Sequence, residues 1–220
     1  MLPDVALLNT VFLNGLPAKV VADTGMDVLT HSIEAYVSTN ANPFSSSFAM
    51  KSIKLIFENL VAHYNDRKIQ GPKENVQFAS CLAGIAFDNS SLGINHSIAH
   101  TVGAKFHIAH GRANAIIMPY VIEVNTEANR KYFEISRELG LPSDTIEEGK
   151  YSLLSFVRIL KEKLAVEKSL KDYGVDFETF KREIPSMLED IKKDICTQYN
   201  PNKLTDEEYV RLLLKIYFGE

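Results

Sequence analysis

Hydrophobic and polar positions repeat at helical intervals along most of the chain. From Thr24 onward, apolar residues recur at three- and four-residue steps, which is the period of a helix with one buried face. Turn-forming residues interrupt the pattern at Asn40-Ala-Asn-Pro43, at Asn65-Asp66, at Gly71-Pro72 and at Gly140-Leu-Pro142. The pattern therefore predicts a succession of amphipathic helices that are separated by short turns.

The segments between these turns are predicted to be helical, and they cover almost all of the chain after its first twenty residues. The predicted helices cover residues 24–40, 45–64, 73–90, 93–104, 112–124, 128–139, 150–164, 177–187, 188–197 and 206–217. Thr205 is followed three residues later by Glu208, the spacing of a capping box. Strand patterns are almost absent after residue 25. We therefore expect an all-α, multi-helix bundle over residues 21–220, preceded by a connecting segment over residues 1–20.

Composition and charge exclude several classes of partner. At 45% hydrophobic and 24% charged residues, the chain resembles ordinary globular proteins. The 24 basic and 28 acidic residues leave a net charge of −4 without an extended basic run, which argues against nucleic acid. We predict neither a membrane span nor a signal peptide. Cys81 and Cys196 lie far apart, as free thiols do in a reducing compartment, so we expect a cytoplasmic protein.

Histidines are concentrated in one short part of the chain. Four of the six lie between His96 and His110. His96 and His100 are four residues apart, so a helix places them on one face. His110 precedes a glycine, where the chain can fold back on that face. His63 is interpreted instead as a surface or helix-end residue.

A second pair has the same spacing upstream, because Asp27 and His31 put a carboxylate and an imidazole on one helical face. Taken alone, such a pair is more often a cap or a solvated face than a ligand pair. Together with the pair of His96 and His100 and with His110, it could surround one cation with one oxygen and three nitrogens. Imidazole suits iron, zinc, copper and nickel, and no cysteine lies near the cluster. We therefore predict an open, catalytic type of metal site.

Other chemistries find less support in the sequence. Ser97 stands where the H-E-x-x-H motif of zinc proteases has its glutamate, and no G-x-S-x-G, P-loop or G-x-G motif occurs. Two alternatives remain open. One is a metal-dependent hydrolase or lyase with an activated water in the open position. The other is a non-catalytic helical assembly domain, in which the histidines only pack.

Two longer motifs resemble the signature regions of the iron-containing (group III) alcohol dehydrogenases. The first is TGMDVLTHSIEAY at residues 24–36, and the second comprises GINHSIAHTVGA at residues 93–104 and HIAHGRANA at residues 107–115. Together the two regions span residues 20 to about 125. The chain is most similar to the alcohol-dehydrogenase part of bifunctional aldehyde-alcohol dehydrogenases and to butanol and propanediol dehydrogenases.

The resemblance implies a fold, an activity and a set of site residues. It implies an all-helical C-terminal domain that contains the metal, Fe(II) with zinc as an alternative. The ligands implied are one aspartate and three histidines, namely Asp27, His31, His96 and His110. His100 would lie near the nicotinamide and move a proton, and Phe87 would line the cofactor and substrate pocket. The implied activity is interconversion of small alcohols and aldehydes by hydride transfer with NAD(P), in a homo-oligomer.

The family pattern is matched here only in its second half. Family members begin with an α/β dinucleotide-binding domain that carries a glycine-rich phosphate loop, and we find no such loop in this sequence. Residues 2–17 resemble the segment that leaves that domain. We therefore expect a metal-binding domain that is weakly active or inactive by itself.

Overall fold

The structure, a computed structural model, describes residues 5–220. These residues contain ten α-helices and three short 3-10 helices, which are joined by turns and loops. No strand occurs within these residues. The predicted all-α, multi-helix fold is therefore confirmed. The helices are α1 (Ala18–Val37), α2 (Pro43–Asn65), α3 (Gln70–Ser90), α4 (Ile94–Phe106), α5 (His110–Val124), α6 (Asn129–Glu138), α7 (Ile146–Lys163), α8 (Leu170–Tyr173), α9 (Phe177–Lys193) and α10 (Asp206–Phe218), with 3-10 helices at Thr10–Leu13, Thr126–Ala128 and Ile195–Tyr199.

Side chains that precede the first turns explain where several helices begin. Asn42 accepts a hydrogen bond from the backbone N–H of Ser45, whose hydroxyl accepts one in return from the Asn42 backbone. The predicted capping box of Thr205 and Glu208 is present at the start of α10. Each box satisfies backbone donors that have no partner inside the helix.

Several helix boundaries differ from those predicted, and Gly71-Pro72, which we expected to be a break, lies in the first turn of α3, where proline is tolerated. Helix α1 begins at Ala18 rather than near Thr24, and the carbonyl of Pro17 accepts its first backbone hydrogen bonds, from the N–H groups of Val20 and Val21. Residues 177–197, predicted as two helices that meet at residue 188, form one helix to Lys193 and then a 3-10 helix. The break between them lies at Asp194 rather than at residue 188, because the Asp194 side chain accepts a hydrogen bond from the Cys196 N–H and caps the 3-10 helix.

Helix α1 lies in the middle of the fold and packs against α2, α3 and α5. Its apolar side chains Met26, Leu29 and Ile33 are buried in the main core. A chain of hydroxyl hydrogen bonds joins α1 to α2 and α3, because Ser32 donates to the Ser52 hydroxyl and Ser52 donates to the Ala79 carbonyl, each at 2.8 Å. Helix α4 lies between α5 and α9. Helix α1 therefore contacts α5 and α4, which carry the later histidines, as well as α2 and α3.

A pair of buried asparagines ties the last part of the chain to this region. The side-chain amides of Asn125 and Asn200 donate to each other's oxygens at 3.0 and 2.8 Å. The Asn200 oxygen also accepts the backbone N–H of Ile94 at 3.3 Å. The first turn of α4 is therefore held by a residue that lies more than a hundred positions later in the sequence.

None of the helices within residues 5–220 combines the length and the apolar character that crossing a membrane requires. The division into a connecting segment, residues 1–20, and a helical domain, residues 21–220, stays a prediction.

Candidate metal centre

Three helices bring the predicted ligands together. Asp27 and His31 lie one turn apart on α1, and His96 lies in the first turn of α4. His110 is the first residue of α5, where the sequence predicted a turn. The chain reverses just before it, because His107 ends α4 in the left-handed conformation with φ 54°. The fold-back predicted before His110 is thus built from the end of one helix and the start of the next.

The four side chains converge on one point. One ligand atom from each of Asp27, His31, His96 and His110 lies within 4.8 Å of all the others. From the Asp27 carboxylate, the distances are 3.4 Å to His110 Nε2, 3.7 Å to His96 Nε2 and 3.8 Å to His31 Nδ1. Ligands about 2.1 Å from a tetrahedral ion lie about 3.4 Å from one another. The spacing therefore fits a single transition-metal ion.

The close approach of α5 to α1 depends on Gly111. A Cβ atom at this position would overlap the backbone carbonyl of Asp23 and would lie 3.2 Å from the Cβ of Asp27. Any larger residue would push the start of α5 away from α1 and would carry His110 with it. The glycine after His110 is therefore a requirement of the site.

His96 is the most deeply buried of the four, with 1% of its side chain exposed. Its Nδ1 lies 2.5 Å from the Glu34 carboxylate, whereas its Nε2 is buried and has no hydrogen-bond partner. Burial opposes protonation of this ring, but the carboxylates of Asp27 and Glu34 outweigh burial and raise its pKa to about 9. Nε2 is thus a buried nitrogen near the Asp27 carboxylate, and a bound cation would provide the partner that it lacks.

The other three side chains are in the charge states that a cation requires. Burial, helped by neighbouring His96, lowers the pKa of His31 to about 4. Burial also lowers the pKa of His110. Burial would raise the pKa of Asp27, but the attraction of the nearby imidazoles, of His96 first and then of His31 and His110, brings it below its usual value. At neutral pH Asp27, His31 and His110 therefore offer one carboxylate and two neutral imidazoles, and a cation that binds would displace the proton from His96 Nε2. This set of ligands fits Fe(II) or zinc.

One side of the cluster opens to solvent. The side chain of His110 is 42% exposed, whereas those of Asp27 and His31 are 20% and 19% exposed. His100 lies beyond this open side, where its ring stacks on that of His110 with centroids 5.2 Å apart. A small molecule can therefore reach the ligands from the side that His100 borders.

Two further predicted site residues lie against the cluster without belonging to it. The Nδ1 of His100 lies 2.7 Å from the Asp194 carboxylate at the end of α9. Phe87 on α3 stacks on His31, with ring centroids 4.7 Å apart and planes inclined by 22°. Phe87 thus covers one ligand with an apolar ring, and His100 presents a polar ring at the opening.

Sequence reasoning missed three side chains that contact the predicted site residues. Asn114 is one turn after His110, and its Nδ2 lies 2.7 Å from Asp27 Oδ1. Glu34 is three residues after His31 on α1, so helical spacing could have indicated both residues. Asp194 gave no local signal, because only the tertiary fold brings it to His100.

The structure corrects the interpretation of His63. We expected a surface or helix-end residue, and His63 does lie in the last turn of α2, but it is only 2% exposed. The cause is the packing of α2 against α3, which buries the end of α2 as well as its middle.

Comparison with known proteins decides the family. The pattern of the Fe-containing alcohol dehydrogenase family, C-terminal, matches residues 21–217. The chain belongs to this family. The resemblance that the sequence motifs indicated is therefore confirmed, and so is the all-helical domain that it implied.

Individual relatives agree with the family. The chain is 41% identical to the NADPH-dependent butanol dehydrogenase of Clostridium saccharobutylicum over 99% of its own length and 56% of that protein. It is 37% identical to an aldehyde-alcohol dehydrogenase of Streptococcus pneumoniae, over 99% of the chain and 26% of that protein. The solved iron-containing alcohol dehydrogenase of Thermococcus thioreducens matches with a TM-score of 0.90 and 36% identity, over 99% of the chain and 56% of that structure. The chain thus spans about half or less of these relatives.

Proposed function

We propose that this chain is the metal-binding part of an alcohol dehydrogenase that interconverts small alcohols and aldehydes with NAD(P). The observation that carries the proposal is the convergence of four donor atoms within 4.8 Å of one another. These atoms belong to the residues that the family resemblance implied as ligands, which are Asp27, His31, His96 and His110.

Fe(II) is the metal that we propose, with zinc as the alternative that the same ligands fit. When bound, such an ion supplies a Lewis acid for the oxygen of an alcohol or aldehyde. Asp27 contributes the single negative charge among the ligands, so the site stays cationic overall and attracts an oxygen that develops negative charge. The exposed side at His110 is where that oxygen would enter.

His100 is the residue that we propose to move the proton. The Asp194 carboxylate can only accept, so Nδ1 of His100 carries the hydrogen of their 2.7 Å contact. Nε2 is then left to take a proton from the alcohol and pass it to solvent. Phe87 would pack against the substrate or the nicotinamide beside His31.

The metal ligands are tested by substitution of His96. We expect His96→Ala to lose bound metal, because it removes the most buried of the three imidazoles, and elemental analysis after purification measures this. His107→Asn is the matched control, since His107 is exposed and lies outside the cluster, and asparagine tolerates its left-handed backbone. Unchanged metal content in His96→Ala would remove this residue from the ligand set.

The 220 residues by themselves should turn over weakly or not at all. They contain no glycine-rich loop for the pyrophosphate of NAD(P), and the cofactor must be held for hydride transfer. An assay with NADH, NADPH and butyraldehyde measures this, with a full-length butanol dehydrogenase as the positive control. Robust turnover by the 220-residue chain would show that these helices hold the cofactor unaided.

We also propose a homo-oligomer in the cytoplasm. The free thiols of Cys81 and Cys196 support a reducing compartment. Apolar side chains of Leu7 and Phe12 are 91% and 82% exposed, as at surfaces that associate. Sedimentation equilibrium of the purified protein tests the association, and a monomer at all concentrations would reject it.

A further inference from the structure

Glu34 is a buried carboxylate that lies behind the metal cluster. It follows Asp27 and His31 on α1, and only 4% of the residue is exposed. It forms no contact with a lysine or an arginine within ion-pair distance in the described part of the chain, and its nearest polar partner is His96 Nδ1 at 2.5 Å. A carboxylate buried in this way needs other donors to offset its loss of hydration.

The first turn of α4 provides those donors. The backbone N–H groups of Asn95 and His96 donate to the Glu34 carboxylate at 2.7 and 3.3 Å. No side chain caps α4, because the residue at the capping position is Gly93. A Cβ at Gly93 would lie 2.8 Å from Glu34 Oε1, so the glycine leaves room for the carboxylate. Glu34 therefore replaces the missing cap of the helix that carries His96.

The same carboxylate determines which nitrogen of His96 faces the cluster. Because an ionised carboxylate accepts but does not donate, the hydrogen of the 2.5 Å contact lies on Nδ1. Nε2 is then the nitrogen that is left for an ion, which displaces any proton there. This atom is buried, lacks a hydrogen-bond partner and lies 3.7 Å from the Asp27 carboxylate. The ring is held at one edge by Glu34 and leaves its other edge for an ion.

We propose that Glu34 is a positioning residue for the metal centre, which fixes the tautomer and orientation of His96 while it anchors the start of α4. This inference rests on the proposed function, since it assumes that His96 is a ligand. A carboxylate behind a ligating imidazole also makes that imidazole a stronger base toward the metal. Glu34 does not touch substrate, so its effect passes through His96.

Metal affinity tests the proposal directly. Co(II) is titrated into the metal-free chain and followed by its visible absorption, and Zn(II) affinity is measured by competition with a chelator. We expect Glu34→Gln to weaken both affinities by about 10- to 100-fold and to alter the Co(II) bands, since amides form weaker hydrogen bonds to imidazole. Glu34→Asp keeps the charge at a shorter reach and should weaken binding less. It serves as the second variant if Glu34→Gln does not fold.

Ser32→Ala is the matched control for a general loss of packing in α1. Ser32 is also buried on α1, but its hydroxyl bonds to α2 and away from the cluster. We expect this variant to melt at a lower temperature and to keep its Co(II) affinity within about twofold. The same result for Glu34→Gln, a lower melting temperature with unchanged Co(II) affinity and spectrum, would overturn the positioning role and leave the proposed function standing. Failure of the unsubstituted chain to bind Co(II) or Zn(II) would reject both.

Discussion

Lys161 is a buried lysine that has no carboxylate within ion-pair distance in the described part of the chain. It lies on α7, is 4% exposed, and donates to the backbone carbonyls of Ile116 and Lys168 at 3.1 and 3.4 Å. Burial, with a smaller contribution from neighbouring Arg158, lowers its pKa to about 7. In the unfolded chain the same amine would keep its ordinary pKa of 10.5. The folded chain therefore holds this proton less tightly than the unfolded chain does.

This difference predicts how stability depends on pH. Between about pH 7 and pH 10 the unfolded chain binds more protons at Lys161, so the contribution of this residue to stability rises with pH. We expect the free energy of unfolding of the unsubstituted chain, relative to Lys161→Met, to increase by on the order of 1–2 kcal/mol from pH 7 to pH 9. Urea unfolding at both pH values measures it.

Lys171→Met provides the comparison for this experiment. Lys171 is exposed, so its substitution should change stability equally at the two pH values. The comparison with the unsubstituted chain cancels the contributions of His96 and the tyrosines, which titrate in all three proteins. A pH-independent difference for Lys161→Met would show that the amine is hydrated in the folded chain.

At the scale of elements, the site depends on how closely α5 approaches α1. We expect Gly111→Ala to separate the two helices, because its methyl group would overlap the Asp23 carbonyl. Stability should fall by about 1–3 kcal/mol, as for other overpacked positions, and zinc affinity should fall with it. Thermal unfolding and chelator competition measure the two effects.

Gly84→Ala is the matched control for this substitution. Gly84 lies inside α3, and a Cβ there would meet nothing within 4 Å. Because alanine is the better helix former, we expect a gain of about 0.5–1 kcal/mol with unchanged zinc affinity. A stabilised Gly111→Ala with full affinity would mean that α1 and α5 can adjust without harm to the cluster.

Sequence periodicity predicted most of the helices and placed three of the four candidate ligands, Asp27, His31 and His96, in pairs of residues that share a helical face. The i,i+4 spacing of Asp27 and His31 was sufficient to place them on one face, because a helix fixes that geometry locally. The break at the end of α9 was misplaced, because it depends on a cap by Asp194 rather than on a change of periodicity. Asp194 escaped notice because only tertiary packing brings His100 to it. Helical spacing from His31 could have indicated Glu34 as a neighbour of the site, but its contact with His96 depends on the packing of α4 against α1.

At the scale of the whole molecule, the ligand cluster joins three helices that are otherwise held by apolar packing and a few hydrogen bonds. An ion that binds only the folded chain stabilises it by about 2.7 kcal/mol at a hundredfold excess over Kd. For a domain of this size that corresponds to about 5–10 °C. We therefore expect zinc to raise the melting temperature by this amount, and a chelator to reverse the shift.

The same measurement separates a specific site from general binding to the surface. His107→Asn should keep the rise in melting temperature on addition of zinc, whereas His96→Ala should lose it. An equal rise in both variants would indicate that zinc stabilises the fold from another location.

The asparagine pair at positions 125 and 200 has a consequence for how this molecule can be divided. All four ligand residues precede residue 111, so a fragment that stops after α5 would contain every metal-binding group. It would nevertheless lack Asn200, which holds the first turn of α4, and Asp194, which holds His100. The late part of the polypeptide is therefore the scaffold on which the early part is assembled, and shortening the chain from its carboxyl end should disable the centre long before any ligand is removed.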